Sequence, residues 1–416
     1  MTPKSFQRGS ESPRFPAWTP PTDIEHALLD ARTRNDWAAY FETLARAELY
    51  FEIVREKADG VPTGTFPVFL RKGRKNRFWP VYTVGMLPTP TPDQVFDVHS
   101  LRWFADVWGP GDPPYIVVNP GTPCEAWLPA APPHSAAWAQ YSERIGYPDM
   151  SKRLVALRVG GPLRGPVAHG LACGALLCVH NGDPWNAIAW HGTGYPGERR
   201  RLREWWDIES REDWLPILDS LLAADQHSGA WEFVLGLRRS IARDFGGHVD
   251  AGYWRQAAAE IIRGRSGGSV ALSPDGVTKT EPEPEAAVEA RIQGIHHLIG
   301  RISRYEARMR ADGVLEENRY VTSVDAWDLG RASKMARWGL GARFGTLQEA
   351  EAAVVQAGRA AALAYRSWQD FSAGYILGRC LHFDEEDFGS WYTDMVDAHR
   401  LLMTDPGSPW LNIPFR

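Results

Sequence analysis

The side chains with the clearest chemical potential lie in two stretches of helical pattern near the end of the chain. In the first, Asp328 and Arg331 are three residues apart, share a helix face and can pair, and Arg337 and Trp338 follow on the same helix. In the second, Tyr375 and Arg379 are four apart, so a phenol and a guanidinium can meet at the edge of one face. Such groups can grip a carboxylate, a phosphate or a partner's acidic side chain through charge-assisted hydrogen bonds. They offer no evident nucleophile or general base. The same residues can equally tie neighbouring helices together, and periodicity leaves both readings open. Asp328, Arg331, Arg337, Trp338, Tyr375 and Arg379 therefore form the candidate binding cluster.

Other constellations resolve into structure. His169, Cys173 and His180 lie close to one helical face, but His180 sits eleven residues from His169, too far along the axis at about 1.5 Å per residue for one metal to bridge. No metal and no cofactor is expected. Arg199, Arg200, Arg201 and Arg203 precede Glu204 and Asp207 and read as a solvated helix face. The P-loop, the Gly-x-Ser-x-Gly elbow, His-Glu-x-x-His and the kinase motifs are absent, and Gly160–Gly165 does not match the dinucleotide fingerprint.

The elements that must position the cluster belong to a globular chain of 416 residues, 44% hydrophobic and 23% charged, a length that implies two domains. Nineteen tryptophans imply aromatic cores in which indole N–H groups need partners. A net charge of −5 makes nucleic acid an unexpected partner. The four cysteines have no CxxC spacing and apolar neighbours, which reads as buried free thiols in a reducing compartment. The first twenty residues contain no signal-peptide core, and the apolar stretch 167–179 is too short for a membrane span, so the expected setting is cytoplasmic, without a membrane.

Along the chain the expected fold class is α+β: a small N-terminal α+β domain with a mixed sheet, then a larger, mostly α-helical domain. Residues 1–22 read as a flexible tail, and 23–47 as helix with a break near Arg34-Asn35. Residues 49–54, 66–70 and 78–84 read as strands, with a polar hairpin turn at 71–77. A helix is predicted over 93–107, then strands at 115–119 and 124–128. Residues 136–164 form a connector, 165–179 one helix, and 264–286 a flexible loop inside the helical domain of 165–416. Capping boxes are predicted at Ser210–Asp213, Thr322–Asp325, Thr346–Glu349 and Ser367–Asp370.

Residues 23–135, through Leu49-Tyr50, Phe78–Thr83 and Ile116–Gly121, resemble the SseB N-terminal domain. Residues 165–416 resemble domain-of-unknown-function family 1266. That likeness is carried by Ala326–Arg331, Ala336–Gly339, Ser367-Trp368 with Phe371, Tyr375–Arg379 and Ser408–Trp410. Both resemblances imply architecture and neither implies a reaction. The expected function is accordingly a non-catalytic intracellular protein-interaction or scaffold role, in a secretion-linked, toxin–immunity or stress setting, with another protein as partner. Aromatics that are candidates for exposure, such as Trp103, Trp108 and Trp127, would serve it. The alternative is an enzyme or small-anion sensor built on the Arg, Asp and Tyr cluster.

Overall fold

The computed structural model describes residues 18–60, 69–70, 77–88, 94–145, 152–189, 194–247, 249–267, 269–273 and 276–416. The chain divides into two compact units, residues 1–54 with 64–148 and residues 55–63 with 149–416. Most of the expected N-terminal tail and the turn at 71–76 lie outside the described residues.

In the first unit α1 (Asp23–Thr33) and α2 (Trp37–Arg46) are capped by Thr22 and Asp36, whose side chains accept the N–H groups of Ile24 and Ala39. Asn35, at φ +56°, breaks the helix where the pattern marked it. β1 (Leu49–Val54) runs into a one-turn helix, α3 (Arg55–Ala58), which belongs to the second unit. β2 (Phe69–Leu70), β3 (Arg77–Tyr82), β4 (Gln94–His99), α4 (Leu101–Val107), β5 (Tyr115–Val118), β6 (Ala126–Pro129) and α5 (His134–Ile145) follow. The sheet has the order β4-β1-β3-β5-β6, with β2 added beside β3. It is mixed: β3 and β5 are parallel and the other pairs antiparallel.

Two expectations need correction here. Residues 94–99, predicted as the start of a helix, form β4, paired along its whole length with β1 from Leu49↔His99 to Val54↔Gln94. Residues 134–145 form α5, most of it within the span 136–164 read as a connector, and Tyr141 stacks on Phe41 of α2 while Trp138 is buried.

The second unit contains α6 (Gly165–Cys173), α7 (Ala175–Asn181), α8 (Gly194–Trp206), α9 (Arg211–Leu222), α10 (Gly229–Phe245) and α11 (Ala251–Ser266). A hairpin of β7 (Ser269–Ser273) and β8 (Gly276–Thr280) leads to α12 (Glu285–Ala311). Then come α13 (Asp325–Gly341), α14 (Leu347–Ala364), α15 (Trp368–Phe383), α16 (Ser390–Thr404) and α17 (Pro409–Asn412). The stretch 264–286, predicted as a flexible loop, thus carries the end of α11 and a hairpin. The helix predicted over 165–179 is divided at Gly174.

The core of this unit is built around α13. Every residue from Ala326 to Leu340 except Arg331 is buried, the mark of a helix enclosed on all sides rather than one with a single apolar stripe. Close approach of its neighbours depends on missing side chains. A Cβ on Gly170 of α6 would lie 2.0 Å from the Val354 carbonyl oxygen of α14, and one on Gly358 would lie 3.0 Å from the Gly170 Cα. Gly170→Ala must push the two helices apart. It is expected to lower stability by about 1–3 kcal/mol, read as a lower urea midpoint; an unchanged midpoint would mean that this crossing is loose.

Candidate functional site

Four of the six cluster residues meet where α13 and α15 cross. Gly330 makes the crossing possible: a Cβ there would come within 2.7 Å of the Tyr375 ring, so only glycine lets that ring lie on α13. The start of α13 is held by the Ser323 hydroxyl, which accepts the Asp325 N–H, and by the Tyr365 hydroxyl, which accepts the Ala326 N–H.

Asp328 is fully buried, and its carboxylate is fully employed. One oxygen accepts from Arg331; the other accepts the N–H groups of Gln226 and His227 at 3.0 and 3.2 Å and Nδ1–H of His227 at 2.9 Å. Burial alone would raise its pKa. The His227 hydrogen bond and the Arg331 charge outweigh that and hold the carboxyl below the ordinary range. His227 feels the reverse: burial lowers its pKa, but Asp328, aided by Asp325 and Glu232, brings it above the usual value.

The Arg331 guanidinium sits over the Trp327 ring, 3.4 Å from its centroid, with Trp206 at 5.4 Å. Burial, partly offset by Asp328, lowers its pKa, but a guanidinium stays charged. Tyr375 is enclosed; its hydroxyl has no partner at full hydrogen-bond geometry, but Arg379 is close enough to interact with it and the charges of Arg379 and Arg331 both reach it. Burial raises that phenol's pKa and the two cations oppose the rise.

Arg379 is the outlier. It is 6% exposed, and among the described residues it has no carboxylate partner. Its Nε is buried without a hydrogen bond, and Nη2 lies 3.4 Å from His180 Nε2. Burial, and then the Arg379 charge, depress the His180 pKa, so the neutral ring can accept from the guanidinium. The remaining contacts are the faces of Trp391 and Phe383, 5.0 and 5.6 Å from the cation. Beside His180 a cleft of about 70 Å³ opens between Lys152, Val179, Asp394, Asp397 and Ala398.

Arg337 and Trp338 stand apart from this group. Arg337 donates through Nε to Ala187 O and through Nη2 to Pro184 O, each at 2.6 Å, and through Nη1 to Cys178 Sγ at 3.0 Å. It is a strut between α13 and the 184–187 segment. The Trp338 ring is near Lys334, Arg201 and Trp205. Of the histidines weighed earlier, His169 bonds Phe415 O at 2.8 Å, away from His180. Sequence reasoning passed over four participants. His180 was considered only as a metal ligand, Asp183 and its partner Lys334 were not considered, and His227 carried no signal beyond being a histidine before a helix.

The model of the family DUF1266, described as a protein of unknown function, matches residues 201–415, just over half of the chain. The chain belongs to the DUF1266 family. The match runs from the end of α8 to the C-terminus and contains Asp328, Arg331, Tyr375, Arg379 and His227, whereas His180 and the N-terminal unit lie outside it. No curated protein and no solved structure matches the chain. The DUF1266 segment is thus the one that carries both helices of the crossing. Among the described residues no helix is long and apolar enough to cross a membrane, and all four cysteines are free and buried.

Proposed function

We propose that the DUF1266 unit binds a small oxyanion, a carboxylate or phosphate, at the α13–α15 crossing, and acts as a ligand-responsive module rather than as a catalyst. One observation carries this reading: Arg379 is a nearly enclosed cation without a counter-charge among the described residues. An unpaired buried charge costs several kcal/mol, and an oxyanion bridging Arg379, the Tyr375 hydroxyl and the outer edge of Arg331 would remove that cost. Nothing in the group can act as a nucleophile, since the phenol is held protonated by burial. His180, neutral and beside the cleft, would complete the polar wall and sense the anion's arrival.

Calorimetric titration of the full chain with inorganic phosphate, and with a mono- and dicarboxylate series, tests the proposal. Saturable binding is expected, at least tenfold weaker in Arg379→Gln and unchanged in Arg200→Gln, which alters an exposed residue. If the wild type takes up neither anion at millimolar concentration, or binds equally well as Arg379→Gln, the reading fails.

The interaction-protein reading has an observation of its own. Phe383 and Trp391 are each 42% exposed and stack at 4.6 Å directly above Arg379. Such a rim fits a partner that offers an acidic or phosphorylated side chain to the same cation. The N-terminal aromatics support it less: Trp103 stacks on His99, Trp108 meets Trp79 edge to face, and Trp127 sits against Phe78. For the N-terminal unit an SseB-like presentation domain in a cytoplasmic protein remains our proposal, supported by its mixed sheet.

A further inference from the structure

Asp328 faces two ways, and its second face points to a different site. Because a carboxylate can only accept, its bond to His227 Nδ1 fixes that nitrogen as the donor and leaves Nε2 as the ring's outward atom. The His227 side chain is 4% exposed, yet among the described residues Nε2 makes no hydrogen bond. It is directed at Asp325 Oδ1, 3.8 Å away. Glu232 completes the group: one ligand atom from each of His227, Glu232 and Asp325 lies within 4.8 Å of the other two. Glu232 spends Oε1 on Arg239 at 2.5 Å, and its Oε2 is buried without a partner.

We propose that His227, Glu232 and Asp325 form a site for one divalent transition-metal ion, with Asp328 as the positioning carboxylate behind the histidine. Acids in the first turn of a helix are ordinary, and Glu232 of α10 and Asp325 of α13 would by themselves carry nothing. The argument rests on the enclosed imidazole held by Asp328 with an unbonded nitrogen aimed at two carboxylates, and on the orphaned Glu232 oxygen. Metal bonds of about 2.0–2.2 Å require the donors to draw closer than they are. Asp325 and Glu232, 29% and 40% exposed, have the freedom to do so. One imidazole with two carboxylates suits Mn²⁺, Fe²⁺ or Zn²⁺ better than Mg²⁺ or Ca²⁺, which favour oxygen alone. Three protein ligands leave coordination positions open to water or to a bound molecule.

This site shares only Asp328 with the anion site, so the two proposals can fail separately. The full chain would be stripped with a chelator and titrated with ZnCl₂ and with MnCl₂, and the Co²⁺-loaded protein examined for visible d–d absorption. One ion per chain is expected. Glu232→Gln and Asp325→Asn, both at half-exposed positions, should each weaken binding by at least the 10–100-fold that loss of even an outer partner costs, with unchanged helicity and unchanged anion binding. Arg379→Gln should leave metal binding intact. Absence of saturable uptake by the wild type overturns the proposal, and so does uptake that survives either carboxylate substitution unchanged. In that case His227 is simply a protonated ring shared between carboxylates.

Discussion

Asp183→Asn is expected to destabilise the helical unit by about 3–5 kcal/mol at pH 7. Lys334 is fully buried on α13, and its Nζ reaches Asp183 Oδ2 at 2.5 Å; Arg201 lies 3.9 Å from the same carboxylate oxygen. Burial pushes the Lys334 pKa down, and Asp183 provides the largest opposing effect. Without that carboxylate the amine can remain charged in an apolar site or lose its proton. Losing it at pH 7 from an ordinary pKa near 10.4 costs about 4–5 kcal/mol, which sets a ceiling on the damage. The pH dependence has a definite sign. In the variant the folded-state lysine is depressed below its unfolded value, so the missing stability returns as pH rises toward that unfolded value. The gap between variant and wild type should shrink by about 1.4 kcal/mol per pH unit between pH 7 and 9. Urea unfolding followed by tryptophan fluorescence at several pH values measures it. A gap that is small, or that does not narrow with pH, would show that water or Arg201 already compensates Lys334.

Lys334 also shows where sequence reading stops. Its partner is 151 residues away, and nothing local to either residue announces the pair. Local chemistry was legible: the boxes at Ser210–Asp213 and Thr346–Glu349 form as their spacing predicts. At Ser367 only the forward half forms, because Asp370 takes the Arg366 N–H instead. The box expected from Thr322 does not form, because Ser323 and the distant Tyr365 hydroxyl satisfy the first N–H groups of α13. β4 was misread for a related reason. Val95, Phe96, Asp97 and Val98 are all buried, so the strand shows no alternation for a period of two to reveal. In the cluster, the pairs at three and four residues were readable, whereas Gly330, whose missing side chain admits the Tyr375 ring, carried no signal of its own. Arg337 was grouped with Arg331 by sharing a helix, but six residues turn the chain about 240° around the axis, onto another face. That face is where Ala187 and Pro184 present their carbonyls.

Between pH 6.5 and about 4 the protein should lose about 3 kcal/mol of stability through His399 alone. This ring is buried between α15 and α16, with Nδ1 2.8 Å from Ser372 Oγ and the Trp410 ring beside it. Burial, with a smaller push from the Arg400 charge, lowers its pKa from 6.5 to about 4. Across that window the unfolded chain takes up a proton at this position and the folded one does not, so acid favours unfolding. The stabilising contribution is present above pH 6.5, falls with pH and levels off below about 4, and 2.5 pH units correspond to about 3.4 kcal/mol. His169, His180 and His382 are lowered too, chiefly by burial, and steepen the loss. His227 acts in the opposite sense: its folded pKa is raised, so its contribution is complete below 6.5 and fades as pH rises through the folded value. Carboxylates such as Glu349, held at about 2 by Arg211 and the Thr346 cap against 4.5 in the unfolded chain, lose their contribution from about pH 4.5 downward and so overlap only the acid end of the window. His399→Gln keeps a group that can bond Ser372 but cannot be protonated, and its stability profile should be flatter over this range by about the predicted amount. Parallel profiles for wild type and His399→Gln would mean that the ring is protonated in the folded state, with the α15–α16 contact open enough to admit the charge.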